Sequence, residues 1–175
     1  MSRAVRFAPL VLLVALLGGL VWRLATPVDT SVHSRMQGRP VPPFYASVGA
    51  VHKPAFGSQD LASGKPHIVN FFASWCVPCI SEAKVLMELK SRGALIDGIA
   101  VRDRPEDVDD FLARHGDPYG LITGDPFSEL QIKFGSSGVP ESFIIDGRGI
   151  VRYQHIGPIE ASEVPMILSR LEQAK

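Results

Sequence analysis

The pattern of apolar and polar positions predicts alternating strands and helices from residue 64 onward. A continuous apolar segment, Ile68 to Ala73, follows Gly64-Lys65-Pro66 and is typical of a buried strand. Beyond it, apolar residues recur at helical spacing, at Ala83, Leu86 and Met87. The pattern therefore predicts a buried strand that leads directly into a helix.

The elements predicted beyond this helix continue the alternation. In chain order they are a strand at Leu95–Val101, a helix with the stripe Val108, Phe111 and Leu112, a short helix with Phe127, Leu130 and Phe134 on one side, a hairpin of Ser142–Asp146 and Ile150–Tyr153, and a closing helix at Glu160–Ala174. Asp103 and Glu106 have the spacing of a capping box, so the acidic cluster that follows is expected to be a solvated first helical turn. Val48 to Ala62 is expected to be a loop.

This order of elements, β-α-β-α-α-β-β-α, combines parallel crossovers with an antiparallel hairpin near the C-terminus. Parallel crossovers place helices against the sheet, and the hairpin adds antiparallel strands to it. The sequence therefore predicts an α/β fold: a thioredoxin-like mixed central sheet flanked by helices.

An uncharged apolar run, Phe7 to Trp22, precedes this domain and lies between Arg6 and Arg23. It is shorter than the roughly 20 residues that usually span a bilayer core, but snorkelling arginines can extend it. We expect a retained signal anchor with one transmembrane helix, because Arg23 and Leu24 stand where a cleavage site needs small residues; a cleaved signal peptide is the alternative. The expected regions are a membrane anchor (1–25), a linker (26–38) and the thioredoxin-like domain (39–175).

The charge balance argues against a nucleic-acid partner. The whole chain of 175 residues has zero formal net charge, and without its first 24 residues it carries 15 basic against 18 acidic groups. A mildly acidic domain lacks the electrostatic attraction on which nucleic-acid binding depends.

Cys76 and Cys79 are the only cysteines of the chain, and they stand where the predicted strand passes into the helix. A helix N-terminus offers unpaired backbone N–H groups and the positive end of the helix dipole, which favour a thiolate over a thiol. The thiolate is the form that attacks disulfides. The pair therefore predicts a thiol–disulfide oxidoreductase, with the first sulfur exposed at the helix N-terminus and the second one turn deeper.

Two separated motifs resemble a known family. Trp75-Cys76-Val77-Pro78-Cys79, together with the downstream stretch Val139-Pro140-Glu141-Ser142-Phe143-Ile144-Ile145-Asp146, is similar to the membrane-anchored CcmG/DsbE proteins of cytochrome c maturation. The resemblance implies that Cys76 is the nucleophile and Cys79 the resolving thiol. It also implies a cis peptide bond before Pro140, where an ordinary trans proline is the alternative.

The resemblance assigns further roles around the dithiol. The Val139 backbone would pair with an extended substrate peptide, and Trp75 would offer an apolar contact instead of serving only as core. Glu82 and Glu141 match family acids that tune the thiols; the alternatives are a solvent-facing helix glutamate and a surface or capping charge. Asn70 stands where thioredoxin has a buried aspartate, so the acid role would pass to the glutamates, although simple packing explains Asn70 equally well.

The activity implied by the resemblance is reduction of the Cys-x-x-Cys-His disulfide of apocytochrome c. It would take place at the inner membrane, with the catalytic domain facing the periplasm. A transmembrane thiol electron donor and the haem-ligation complex are the implied partners, and the exchange itself needs no cofactor beyond the Cys76–Cys79 couple. A general periplasmic reductase, a metal carrier using the cysteine pair and a holdase for unfolded apocytochrome are the alternatives.

Overall fold

The structure of the protein is a computed structural model that describes residues 12–13, 15–19 and 35–175. The chain forms two compact units, residues 1–33 and 34–175, and the described residues of the first unit are helical. Apart from these positions, the predicted anchor at 1–25 lies outside the described residues, as does most of the predicted linker at 26–38. Within the described part of the chain, no helix combines the length and the apolar character needed to cross a membrane.

The second unit is built on a mixed five-stranded sheet in the order β3-β2-β1-β4-β5. β1 pairs in parallel with β2, and β2 with β3, whereas β4 is antiparallel to both β1 and β5. The strands are β1 His67–Phe72, β2 Leu95–Val101, β3 Ile122–Asp125, β4 Glu141–Ile145 and β5 Val151–Ile156. The arrangement confirms the predicted thioredoxin-like mixed sheet.

Four α-helices connect and follow the strands. They are α1 Val77–Ser91, α2 Pro105–His115, α3 Glu129–Lys133 and α4 Val164–Gln173, the last preceded by a 3₁₀ turn at Ala161–Glu163. α1 begins five residues after β1 ends, so the segment between them forms a tight strand-to-helix connection at the carboxyl end of this central strand.

The central strand β1 separates two hydrophobic cores because its side chains alternate between the faces of the sheet. Ile68 and Phe72 point to the core that α1, α2 and α4 cover, which also contains both cysteines. Val69 and Phe71 point to the opposite core, where phenylalanines from the C-cap of α3, from β4 and from the segment before β1 pack edge to face. Asn70 therefore points to the face of the sheet that carries the cysteines. A residue paired with Phe71 on a neighbouring strand points to the opposite face.

The structure contains one strand that the sequence pattern did not predict. β3, Ile122–Asp125, has only four residues and includes Gly124 and Asp125, so it lacks the apolar alternation of a typical strand. It forms because it pairs with β2 on one side while Val48 bridges Thr123 on the other. A Cβ at Gly124 would lie 2.6 Å from the Val48 carbonyl oxygen, so glycine permits this close approach. The predicted loop at Val48 to Ala62 thus contributes to the sheet edge.

Two local predictions are wrong. The N-cap of α2 is Arg104, whose side chain makes no capping hydrogen bond, and the Asp103 carboxylate accepts from the adjacent Arg104 amide, so Asp103 and Glu106 form no capping box. Phe127 does not share the buried side of α3, because Ser128 adopts a left-handed conformation and the helix begins only at Glu129. The Phe127 side chain is consequently 79% exposed.

Candidate active site

The dithiol lies at the N-terminus of α1 as a closed disulfide. The S–S distance of the Cys76–Cys79 bond is 2.09 Å. Cys76 is the N-cap residue of α1 in an extended conformation, and its sulfur accepts a hydrogen bond from the Cys79 amide at 3.3 Å. The Cys76 sulfur therefore occupies the position where a helix offers unpaired amide donors to a negative charge.

The prediction that Cys76 is exposed is wrong for this disulfide form. Cys76 is 4% exposed and Cys79 3%. Both cysteines belong to the core cluster against which Val139 packs. The neighbouring residues Trp75 and Val77 provide the exposed surface beside the disulfide.

The loop that carries Trp75 is held by the turn after β2. The Asp103 carboxylate accepts hydrogen bonds from both the amide and the hydroxyl of Ser74. The Trp75 ring N–H donates to the Arg102 carbonyl at 3.2 Å, while 57% of the residue remains exposed. Arg102 has a φ of 50°, a left-handed conformation that is uncommon for a non-glycine residue.

These roles of Arg102 and Asp103 were missed by the sequence reasoning, which interpreted Asp103 only as a helix cap. The signal that could have found them is their place directly after β2. The carboxyl ends of parallel strands lie at one edge of a sheet, so residues after β2 come close to residues after β1.

Val139 and Pro140 are joined by a cis peptide bond, which confirms the conformation that the resemblance implied. The partly buried Val139 packs against the cluster that contains the two cysteines. The Pro140 carbonyl accepts a hydrogen bond from the Gly157 amide at 3.1 Å, so the segment after β5 supports this loop.

Glu82 is buried on the same side of the sheet as the dithiol, not solvent-facing. It is 1% exposed and lies one helical turn after Cys79 on α1. One carboxylate oxygen accepts from the Ile159 amide at 2.9 Å, and the other from the Asn70 side-chain NH₂ at 3.1 Å. Desolvation raises the pKa of Glu82 from 4.5 to about 7, although both hydrogen bonds work in the opposite direction.

Asn70 links Glu82 to two further buried side chains. Its NH₂ group also donates to the Ser142 hydroxyl at 2.9 Å, and its carbonyl oxygen accepts from the Tyr119 hydroxyl at 2.8 Å. Burial holds the pKa of Tyr119 well above its ordinary value, and the negative charges of Glu82 and Asp117 add to this effect. Tyr119 was not singled out in the sequence because no local pattern marks it.

Glu141 lies on the opposite face of the sheet from Asn70 and Glu82. It pairs across strands with Phe71, whose side chain belongs to the other core. Its carboxylate accepts from the hydroxyls of Ser136 and Ser137, from the Ser137 amide at 2.7 Å, and from Gln154. Glu141 is therefore buried and ties down the chain before Pro140, and the structure does not group it with Glu82.

Other ionisable residues are separate from this site. Among the residues that the structure describes, no three His, Cys, Asp or Glu side chains form a group that could hold a metal ion. His155 on β5 contacts the Pro158 carbonyl and Glu163 at 3.4 and 3.5 Å.

Comparison with known proteins shows that the chain is similar to thiol:disulfide interchange proteins. Residues 36–171 match the Redoxin family. The chain is 33% identical over 165 residues to the thiol:disulfide interchange protein DsbE of Escherichia coli K12, covering 91% of this chain and 88% of that protein. It is 31% identical over 159 residues to the thiol:disulfide interchange protein HelX of Rhodobacter capsulatus, covering 91% and 90%.

Solved structures show the same relationship. A thiol:disulfide interchange protein of the thioredoxin family from Chlorobium tepidum TLS aligns with a TM-score of 0.57 at 31% identity, covering 82% of this chain and 99% of that one. A second protein from Chlorobium tepidum, described as a putative DsbE, aligns with a TM-score of 0.63 at 24% identity over 79% and 96% of the two chains. The second likeness supports the fold alone.

Proposed function

The chain belongs to the Redoxin family, as a DsbE-type thiol–disulfide oxidoreductase, and on that premise we propose that it reduces the disulfide of the Cys-x-x-Cys-His segment of an apocytochrome c. The observation that carries the proposal is the Cys76–Cys79 disulfide at the N-terminus of α1, with cis Val139–Pro140 packed against its cluster. The chemistry of the dithiol supports reduction, and the substrate follows from the resemblance to the cytochrome c maturation proteins.

The first chemical step breaks the substrate disulfide. In the reduced enzyme, the Cys76 thiolate attacks one substrate sulfur at the helix N-terminus, where amide donors favour its negative charge. A mixed disulfide forms, and the second substrate sulfur leaves as a thiolate that takes a proton from solvent. Val139 would position the extended substrate by backbone pairing, and Trp75 would cover its apolar side.

The second step closes the enzyme disulfide. Cys79 transfers its proton to the Glu82 carboxylate and attacks the Cys76 sulfur. The Cys76–Cys79 bond forms, and the first substrate sulfur leaves as a thiolate, so two electrons have passed from the enzyme to the substrate. A buried carboxyl whose pKa lies near 7 can accept and release this proton near neutral pH.

The cellular setting is part of the proposal. Residues 1–25 would anchor the protein in the inner membrane, and residues 26–38 would connect the anchor to a domain in the periplasm. An oxidised Cys76–Cys79 pair cannot reduce a second substrate, so a transmembrane thiol donor must return two electrons to it. The anchor would keep the domain close to this donor and to the haem-ligation complex.

The test is trapping of the mixed disulfide with a Cys79→Ser variant of the full chain in cells. Without the resolving thiol, the adduct at Cys76 should persist on non-reducing gels, where mass spectrometry identifies the bound protein. The Cys76→Ser, Cys79→Ser double variant is the matched control, because it lacks both thiols of the chain and cannot form a mixed disulfide.

Each outcome of the trapping decides between functions. Adducts dominated by apocytochrome c or by haem-ligation proteins support the proposal. A broad range of extracytoplasmic proteins would make the chain a general reductase. If no adduct forms and the reduced protein binds a metal ion stoichiometrically, the metal-carrier function replaces it; if partners bind the double variant equally well, the protein is a holdase.

A further inference from the structure

Asn70 has every hydrogen-bonding group of its side chain engaged in the interior of the protein. Its NH₂ group donates to Glu82 and Ser142, and its carbonyl oxygen accepts from Tyr119. The residue is fully buried, so no solvent molecule competes for these positions. Asn70 thus connects β1 with α1, with β4 and with the loop before β3.

The Tyr119 hydroxyl stabilises the orientation in which the NH₂ end of the Asn70 amide faces Glu82. An amide has a donor end and an acceptor end of nearly the same shape, so the orientation depends on its partners. Because the Tyr119 O–H donates to the amide oxygen at 2.8 Å, the NH₂ end points to the carboxylate. In the reversed orientation, the amide oxygen would face the carboxylate oxygen and disfavour its negative charge.

Tyr119 itself is held in a closely fitted place. Its ring stacks on Phe72 with a centroid distance of 4.5 Å and an interplanar angle of 21°. Gly98 leaves room for the ring, since a Cβ there would lie 3.1 Å from Tyr119 and 2.7 Å from Phe72. Burial also keeps the pKa of the Tyr119 hydroxyl high, so the group remains a donor at neutral and moderately alkaline pH.

We propose that Tyr119 and Asn70 are positioning residues that present a fixed amide donor to Glu82 and so set the pH at which Glu82 exchanges its proton with the dithiol. The proposal rests on the proposed function for its catalytic meaning, but the hydrogen-bonded arrangement can be tested without turnover. Neither residue needs to touch the substrate or a sulfur atom, because both act through Glu82.

Within the described part of the chain, the Glu82 carboxylate accepts hydrogen bonds from the Asn70 NH₂ group and the Ile159 amide, and neither donor is ionisable. The ionisable groups on the surrounding elements are Cys76 and Cys79 at the start of α1, Asp117 and Tyr119 before β3, and His155 on β5, which contacts Pro158 and Glu163. Val164 and Ile167 of α4 belong to the apolar cluster that contains both cysteines. The Asn70 donor is therefore a principal polar influence on the carboxyl, together with the Ile159 amide.

The experiment is a titration of the Glu82 carboxyl in the oxidised full-length protein. ¹³C NMR of glutamate-labelled protein follows the side-chain carboxyl, and the resonance is assigned by its loss in Glu82→Gln. The wild-type midpoint is expected at about 7. Tyr119→Phe keeps the ring and its stacking but removes the donor, so the midpoint should rise by about half to one pH unit. Asn70→Ala should raise it at least as far.

The matched control is Tyr153→Phe, which removes a hydroxyl from a tyrosine outside this arrangement. Tyr153 packs below Arg170 and near His155, and the hydrogen bonds that the Glu82 carboxylate accepts come from Asn70 and Ile159 instead. Its removal should leave the Glu82 midpoint unchanged. A second readout is the pH profile for release of the reduced substrate. Its midpoint should move to higher pH in Tyr119→Phe. In the Glu82→Gln background, the additional Tyr119→Phe substitution should leave the profile unchanged.

The outcomes separate this proposal from the proposed function. A raised midpoint in Tyr119→Phe with an unchanged midpoint in Tyr153→Phe supports it. An unchanged midpoint in folded Tyr119→Phe, or an equal shift in the control, overturns it even if the enzyme reduces disulfides normally. If Asn70→Ala does not fold, Tyr119→Phe alone decides. Failure of the wild type to reduce any disulfide would overturn the function, whereas the titration would still test the arrangement.

Discussion

The carboxylate of Glu82 accepts a hydrogen bond from the backbone amide of Ile159 at 2.9 Å, across a sequence separation of 77 residues. Two residues earlier in the same segment, the Gly157 amide donates to the Pro140 carbonyl. One short stretch after β5 therefore holds both the buried acid and the cis-proline loop. The proposed proton acceptor and the proposed substrate-binding loop are parts of one connected structure.

The first prediction concerns the pH dependence of stability. The pKa of Glu82 is 4.5 in its ordinary state and about 7 in the folded protein, so the folded state binds more protons between these values. Stability therefore falls as the pH rises from about 4.5 to about 7, by about 3 kcal/mol from this group alone. Above pH 7 the contribution is constant. Glu82→Gln should abolish this component of the pH dependence.

Urea unfolding of the oxidised protein between pH 4 and 8 measures this effect as the difference between wild type and variant. Glu88→Gln on the same helix is the control, because Glu88 forms only a partly exposed pair with Arg92. Parallel stability curves for wild type and Glu82→Gln would show that the buried carboxyl has no raised pKa.

The second prediction concerns Asp103. Its carboxylate holds the amide and hydroxyl of Ser74, so Asp103→Ala leaves both donors without their partner and frees the loop that carries Trp75. We expect a loss of about 1–2 kcal/mol in unfolding free energy and a lower kcat/KM for disulfide reduction. Denaturation and kinetics with a disulfide-containing peptide measure the two effects. Asp110→Ala on the exposed side of α2 is the control, and equal effects in both variants would contradict this role.

The sequence predicted those parts of the site that depend on local spacing. The Cys76–Cys79 pair at a strand-to-helix junction and the position of Glu82 one turn later follow from helix geometry alone. The contact between Asn70 and Tyr119 could not be predicted, because it joins a residue of β1 to one of the loop before β3, 49 positions apart in the sequence. Asp103 was misassigned for the same reason, since a tertiary contact with Ser74 replaced the expected local cap.

The central strands of the sheet could be predicted from the sequence, whereas the edge strand β3 could not. The buried strand β1 and the hairpin have strong apolar patterns, whereas β3 consists of Ile-Thr-Gly-Asp and depends on its neighbours for pairing. Glu141 shows a further difficulty: the family motif places it next to Pro140, but the two-residue alternation of β4 turns it to the opposite face. Adjacent positions in a motif therefore need not share a site.

The third prediction concerns Glu141. Its buried carboxylate accepts four hydrogen bonds, three of them from Ser136 and Ser137. Glu141→Gln replaces one acceptor oxygen with a donor group, so the chain before Pro140 should loosen. We expect a loss of about 1–3 kcal/mol in stability and a rise in KM that exceeds the fall in kcat.

Urea unfolding and peptide-reduction kinetics measure both consequences. Glu129→Gln is the control, because Glu129 lies on the exposed surface of α3. If Glu141 instead acted directly on the thiols, kcat would fall while KM stayed constant, and the pH profile of the rate would change.

The last prediction concerns Trp75, which is 57% exposed beside a buried disulfide. A substrate that covers this ring removes apolar surface from water, which is worth about 25 cal/mol for each Å². Trp75→Ala should therefore raise the KM for a Cys-x-x-Cys-His peptide about tenfold, corresponding to about 1.4 kcal/mol. Stability should change by less than about 1 kcal/mol, since the side chain is largely at the surface. Phe127→Ala removes another exposed aromatic ring and is the control. An unchanged KM in Trp75→Ala would mean that the substrate binds elsewhere on the surface around the disulfide.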